Sequence, residues 1–298
     1  MHLVRIAAAA AVLAGLASPA LAADEPKLKP FVLAERTTGE VAAVGEAVKA
    51  KLAQAGFELA GAYQPFADAL VIVVTSDELK TAAAKDRFGG YAAGQRVTVT
   101  KLGDEVQVAF TNPVYMANAY RMTADLAPVA AKLAAALGRI EEYGPKDGKS
   151  AKDLRKYHYM VGMQYFDDPT RFGTFPTQAE AVQAVEAGLV AGRGGTRLVY
   201  RIDVPGGEET VFGVALSEGC SGDEHIMKEI DFKPLRSTGH LPYEVLVSRG
   251  EVYALHARFR IAVNFPDLSM MGSHSFMGIR CAPGAIEGAL KKVVGEKK

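Results

Sequence analysis

The spacing of apolar and polar residues changes several times along the chain, and each change marks a new element. Apolar residues at helical spacing predict a helix over 38–55. A continuous apolar run predicts a buried strand over 70–74. Apolar and polar residues then alternate over Gln95–Leu102 and again over Glu105–Thr111, across a Gly-Asp turn. This alternation predicts a β-hairpin.

Residues that cap helices mark where several of the helices begin. Thr75 and Glu78 fit a capping box, in which the threonine hydroxyl accepts a backbone N–H three residues on. Thr177 and Glu180 fit a second one. Asn112-Pro113 predicts a helix start with Asn as the cap and Pro in the first turn. A further helix, which ends near residue 137, closes the first half of the chain.

The second half of the chain repeats the order of the first. Both halves are predicted to run strand, helix, strand, strand, short helix, hairpin and helix. A charged stretch with Gly and Pro separates them and predicts a linker over 141–156, between domains over 23–140 and 157–298. The predicted elements of the second half are a strand at 157–166, a helix from Thr177, strands at 196–204 and 210–216, a short helix at 221–230, a hairpin of 243–247 with 251–263, and a helix at 283–294.

The two predicted hairpins also share local sequence. VTVTKLGDEVQVAFTNPVYM in the first half matches VLVSRGEVYALHARFRIAVNFPDLSM in the second. Both contain a Gly at the turn, then Glu-Val, then an Asn and a Pro, then a Met. This similarity favours an internal duplication over a coincidence of common α+β signals.

This order of elements and the run around Asn112, Pro113 and Tyr115 resemble the family called domain of unknown function 302. A helix that ends in Gly56-Phe57 belongs to the same pattern. The resemblance covers about 30–140 and, more faintly, 157–298. It implies an α+β fold of two similar domains, each a curved antiparallel sheet with helices packed on one face. It implies no activity, and the second half departs from it in its longer hairpin and its loop rich in Met and His.

The first residues have the pattern of a signal peptide. Arg5 precedes an apolar run over 6–16, Pro19 breaks that run, and Ala20-Leu21-Ala22 is a small-x-small cleavage pattern. The sequence therefore predicts a signal peptide over 1–22. A retained anchor is the alternative, but the run is shorter than the roughly 20 residues that span a bilayer. We expect a mature protein without a membrane span, exported to a bacterial periplasm.

Composition narrows the possible functions. The formal net charge is +0, which gives no basic surface for nucleic acid. The 49% hydrophobic and 23% charged residues are typical of a soluble globular protein. The sequence contains no phosphate loop, no dinucleotide fingerprint and no Gly-x-Ser-x-Gly. Together these observations favour a binding protein over an enzyme.

The chain has two cysteines, Cys220 and Cys281. In an exported protein an even pair favours one disulfide. The alternatives are a metal thiolate at Cys220 or a thiol enzyme. Such an enzyme would use Cys220 as nucleophile and His225 or His240 as base.

Soft metal ligands are concentrated in the second half. Every histidine except His2 lies there, as do six of the nine methionines. Thioether, imidazole and thiolate together suit copper, especially Cu(I). The alternative is that the methionines fill the core and that a cleft between the repeats binds a small ligand without metal. The candidate copper ligands are Met270, Met271, His274, Met277, Cys220, His225 and Met227, and His158, Met160 and Met163 form a further cluster.

Overall fold

Two antiparallel sheets, of six and five strands, organise the chain together with helices. The computed structural model describes residues 25–206 and 208–295. The predicted signal peptide lies outside the described residues. The α+β fold class with two sheets is confirmed. Among the described residues, no helix combines the length and the apolar content that crossing a bilayer requires.

The first half begins with a strand and ends with a helix. Its hairpin has the bounds that the alternation predicts, and its elements follow the predicted order. The elements are β1 (Phe31–Thr37), α1 (Val41–Gln54), β2 (Glu58–Tyr63), β3 (Ala69–Thr75), α2 (Asp77–Ala83), β4 (Gln95–Leu102), β5 (Glu105–Thr111), α3 (Pro113–Ala119) and α4 (Ala127–Leu137).

The segment predicted as a linker contains two short elements, β6 (Glu141–Tyr143) and α5 (Ala151–Leu154). β6 pairs with β1 and extends the first sheet. The second half follows with β7 (Thr170–Thr174), α6 (Gln178–Val190), β8 (Thr196–Asp203), β9 (Glu209–Leu216), α7 (Asp223–Ile230), β10 (Tyr243–Ser248), β11 (Glu251–Ala254), α8 (Ala257–Asn264) and α9 (Ala282–Val294).

The second sheet repeats the strand order of the first. The six-stranded sheet runs β2-β3-β4-β5-β1-β6, and the five-stranded sheet runs β7-β11-β10-β9-β8. If β6 is set aside and one sheet is read backwards, each strand of one half has a counterpart in the other. β1 corresponds to β7, and β2–β5 correspond in order to β8–β11. The topology therefore has the twofold repetition that the order of elements predicts.

The two halves share one apolar core. Its buried residues come from both sheets, including the fully buried strand β3 and the fully buried strand β9. Tyr115 in α3 donates its hydroxyl to the backbone carbonyl of Val263 in α8, at 2.8 Å. The edge strands β2 and β8 lie close together where the sheets meet. A Cβ placed on Gly61 would lie 2.1 Å from the carbonyl oxygen of Val199, so only glycine allows this approach.

Capping confirms two predicted helix starts and corrects a third. The Asn112 side chain accepts the backbone N–H groups of α3, and Thr177 accepts that of Glu180. At α2 the cap is Ser76, not Thr75. Thr75 is the last residue of β3, and its hydroxyl donates to the carbonyl of Ala93 at 2.7 Å. The Thr75 hydroxyl is therefore not available as a cap, and the next residue, Ser76, caps α2.

One predicted strand of the second half is wrong, and another is too long. Residues 157–166 form no strand, and the first strand of this half is β7. The aromatic residues that suggested a strand make separate contacts with other parts of the protein. Tyr157 donates its hydroxyl to the carbonyl of Ala262 at 3.0 Å, and Phe166 stacks on Tyr120.

The predicted hairpin is confirmed by the pairing of β10 with β11, but its second strand, predicted over 251–263, ends at Ala254 and the helix α8 follows. All residues of α8 except Arg258 are buried, so no polar face marks it as a helix. His256, which the sequence placed in a sheet, is the N-cap of α8. His256 therefore caps the helix after the hairpin, as Asn112 does in the first half. Asn264 lies at the other end of α8, so Asn264 and Pro266 do not correspond to Asn112 and Pro113.

Candidate functional site

A cleft of about 360 Å³ lies where the second half meets the edge of the six-stranded sheet. Four pieces of chain form it, and we call it the edge cleft. They are β6 with the residue after it, the segment between α7 and the turn before β10, the end of α8, and the loop after α8. The lining residues are Tyr143, Gly144, Ile230, Asp231, Phe232, Lys233, Pro234, Leu235, Ser237, Asn264, Phe265, Asp267, Leu268, Ser269, Ser273 and His274.

The segment that forms one wall is fixed to the first sheet. The Gln107 side chain in β5 donates to the carbonyl of Pro234 at 2.8 Å and accepts the backbone N–H of Arg236 at 3.1 Å. Tyr143 in β6 donates its hydroxyl to the carbonyl of Arg236 at 2.6 Å. This wall is therefore set by both halves, as a pre-formed binding site requires.

Most of the surface of the edge cleft is apolar, and its buried carboxyl group, that of Asp231, has a defined partner. Asp231 is buried, and its Oδ1 accepts the backbone N–H of Ser237 at 2.8 Å. Burial raises the pKa of the Asp231 carboxyl to about 7, although the Ser237 hydrogen bond and the charges of Arg236 and Lys233 oppose the shift. Asp231 thus changes its charge near neutral pH.

Asn264 occupies the opposite wall with an unpaired acceptor. Its Nδ2 donates to the carbonyl of Arg260 one turn earlier in α8, at 2.8 Å. Because a carbonyl accepts only a donor, this bond leaves Oδ1 of the amide as the free atom. Within the described chain, that buried Oδ1 has no hydrogen-bond partner.

Two interactions lie on the outer side of the edge cleft. Lys233 and Asp267 form an ion pair, and both side chains are partly exposed. The His274 ring stacks on Phe232 with the ring centroids 4.6 Å apart. Its Nδ1 lies 2.9 Å from the carbonyl oxygen of Glu229 in α7. The loop that bears the candidate copper ligands Met270, Met271 and His274 is thereby held against α7.

The end of α8 also links the edge cleft to a buried ionic network. Arg260, one turn before Asn264, pairs with Glu244 in β10 and donates to the carbonyls of His240 and Pro242. Arg96 in β4 pairs with the same carboxylate. The sequence does not predict this network, because Arg96, Glu244 and Arg260 are far apart along the chain and belong to no recognisable motif.

The disulfide between Cys220 and Cys281 is confirmed, with the two Cα atoms 5.9 Å apart. Neither cysteine has a free thiol, so the alternatives of a Cys220 nucleophile and a Cys220 thiolate ligand are wrong for this state. His225, one proposed base, has a ring nitrogen within 4.8 Å of both sulfurs. His240, the other, is fully buried beside the Tyr243 hydroxyl at 3.0 Å.

The remaining candidate copper ligands lie in different surroundings. Met227 is buried and lines a cavity beside Phe66, whereas Met270 lines a small apolar cavity with Met163. Met271 is 76% exposed and Met277 is 43% exposed. His274 lines the edge cleft. These residues do not line one common cavity, and the paired sulfurs offer no thiolate, so copper binding stays a prediction.

Comparison of the chain with family models, curated proteins and solved structures finds no match. The resemblance to the domain of unknown function 302 therefore stays a prediction.

Proposed function

We propose that this is an exported binding protein that holds a small, mostly apolar organic molecule in the edge cleft. The observation that carries the proposal is the cleft itself, whose lining combines the apolar residues Phe232, Leu235 and Phe265 with polar residues that include Asp231 and Asn264. Ligand sites in proteins have this composition, and volumes of about 300–1,000 Å³ are usual for them.

The way the wall is built supports the same proposal. Hydrogen bonds from Gln107 and Tyr143 fix the segment 234–236 without help from a ligand. A wall that is ordered in advance loses little conformational entropy on binding, so a small ligand can gain useful affinity. Export is proposed from the leader pattern over 1–22, and the Cys220–Cys281 disulfide fits an oxidising compartment.

Binding of a neutral fluorescent probe tests this proposal. N-phenyl-1-naphthylamine brightens in apolar surroundings, and we expect saturable binding to the mature protein. Leu268→Trp should weaken binding at least tenfold, because the larger ring fills the cleft. Val190→Trp, at a residue that is 84% exposed, is the matched control and should leave binding unchanged. Equal binding by all three proteins would rule out the edge cleft as the site.

Copper binding is a second proposal, and it concerns the same loop. The observation in its favour is that the loop bearing Met270, His274 and Met277 packs on α7, which bears His225 and Met227. Titration of the apo-protein with Cu(I) tests it. A dissociation constant below micromolar that His274→Ala weakens would support it. Weaker binding, or binding indifferent to that substitution, would reject it.

A further inference from the structure

The lining of the edge cleft includes a hydrogen-bond acceptor that lacks a donor. Asn264 Oδ1 is a buried acceptor without a partner in the described structure. An acceptor left unpaired away from water costs roughly 1–3 kcal/mol, so such groups in proteins usually have a partner that is a water or a ligand. Because Asn264 lines the edge cleft, the missing donor can come from a molecule bound there.

Asp231 adds a second acceptor at the same cleft. A carboxylate offers about four acceptor positions, and here the backbone N–H of Ser237 supplies the hydrogen bond to Oδ1. Arg236 donates to the backbone carbonyl of Asp231 and not to its carboxylate. The carboxylate therefore has capacity for a further donor.

The other charged groups at the cleft largely cancel. Lys233 and Asp267 neutralise each other as an ion pair. His274 is engaged through Nδ1 with the backbone of Glu229 and through its ring face with Phe232. Among the residues that the structure describes, Arg236 and Lys233 are the cations that lower the pKa of Asp231, and Arg236 is held by a backbone carbonyl. The polar groups left for a ligand are therefore two acceptors, the Asn264 amide oxygen and the Asp231 carboxyl, beside an apolar wall.

We propose that the ligand of the edge cleft is an amphipathic amine, whose N–H groups bind Asp231 and Asn264 and whose apolar part packs on Phe232 and Phe265. This inference rests on the proposed function and names its ligand class. An ammonium group carries three donors and a positive charge, so it matches a cleft that offers acceptors, one of them a carboxyl. An alcohol brings a single donor, and a carboxylate brings none and would face the charge of Asp231.

The raised pKa of the Asp231 carboxyl, about 7, supports this ligand class. At neutral pH the buried carboxyl is partly protonated, and a bound ammonium would favour its ionised form. Binding of an amine at pH 7 should then release a proton to the solvent. Binding of a neutral alcohol should release none.

A matched series of ligands tests the inference. Isothermal titration of the mature protein would compare 4-phenylbutylamine, 4-phenylbutanol and 4-phenylbutyrate, which differ only at the polar end. We expect the amine to bind at least tenfold more tightly than the alcohol, and the acid to bind most weakly. Equal binding, or tightest binding of the acid, would overturn the amine while leaving the proposed function intact. If the probe binds but none of the three compounds binds or displaces it, the amine is also rejected. If the probe does not bind either, the proposed function is rejected as well.

Substitution of Asp231 tests whether the amine contacts this carboxyl group. Asp231→Asn keeps an acceptor for Ser237 but removes the charge, and it should cost the amine at least tenfold in affinity with little change for the alcohol. Asp77→Asn, at a side chain that is 92% exposed in α2, is the control and should change neither. If Asp231→Asn does not fold, titration of the wild-type protein in two buffers of different ionisation enthalpy measures the released proton. Absence of proton release at pH 7 would overturn the role of Asp231.

Discussion

Arg96 and Glu244 form an ion pair between the two halves, with Nη2 and Oε1 2.6 Å apart and both side chains less than 5% exposed. Arg260 pairs with the other carboxylate oxygen, and the Tyr200 hydroxyl donates to the same group. One carboxylate therefore contacts two buried guanidinium groups. Its loss would remove the anion that both cations contact in a region away from water.

Glu244→Gln should destabilise the protein by about 3–5 kcal/mol, because breaking a buried ionic network leaves uncompensated charge. Urea unfolding followed by circular dichroism measures the change. Glu46→Gln is the control, since Glu46 pairs with Lys49 at the surface with 74% of its side chain exposed. Such exposed pairs contribute roughly 0–1 kcal/mol. Similar losses for the two variants would show that the buried network adds nothing.

Gly61→Ala should destabilise the contact between β2 and β8 by roughly 1–3 kcal/mol or more, as overpacking does. The added Cβ would lie 2.1 Å from the Val199 carbonyl oxygen, and backbone must move to relieve it. Gly288→Ala in α9 meets no atom within 4 Å and should stabilise the helix by up to about 1 kcal/mol. Thermal unfolding of both variants checks the opposite signs, and a neutral Gly61→Ala would contradict this packing.

Asp231→Asn should change how stability depends on pH. The folded-state pKa of Asp231, about 7, is above its ordinary value of 3.8, so the folded state binds more protons between these values. The wild-type protein should therefore lose stability relative to the variant as pH rises from 4 to 7, by at most about 1.4 kcal/mol per pH unit.

Urea unfolding of both proteins at several pH values measures this difference. Asp223, whose pKa burial also raises to about 7, is present in both proteins and cancels in the comparison. A constant difference from pH 4 to pH 7 would show that Asp231 titrates as an exposed carboxyl does.

Reduction of the Cys220–Cys281 disulfide should cost about 4 kcal/mol, because the bond closes a loop between residues 61 positions apart. The variant with both Cys220→Ser and Cys281→Ser should show the same loss without reductant. Denaturation with and without a phosphine reductant measures it. An unchanged midpoint for the reduced wild-type protein would mean that the bond contributes nothing to stability.

Local patterns in the sequence predicted those parts of the fold that depend on local physics. The alternation in β4 and β5 gave their bounds, and the Asn112 cap gave the start of α3, since both act between neighbours in the chain. The helix α8 was predicted as a strand because it is buried on nearly every side. Without a polar face, apolar spacing does not separate a helix from a strand.

The edge cleft depends on contacts that no local pattern encodes. Gln107 fixes a segment near Arg236, more than a hundred residues later. The loop with His274 was singled out from composition, and it does line the cleft. Asp231 belongs to no motif, and Asn264 was noticed only as part of the hairpin comparison, so their burial at the cleft is what marks them as site residues.

The most direct test of the proposed function is the location of a bound ligand. Methyl NMR spectra of the mature protein, recorded during titration with N-phenyl-1-naphthylamine, would report Ile230, Leu235 and Leu268 in the edge cleft and the exposed Leu59 and Val190 elsewhere. We predict saturable shifts concentrated at the three cleft residues. Shifts at Leu59 and Val190 of equal size, or no saturable shift at Ile230, Leu235 and Leu268, would contradict a ligand site in the edge cleft.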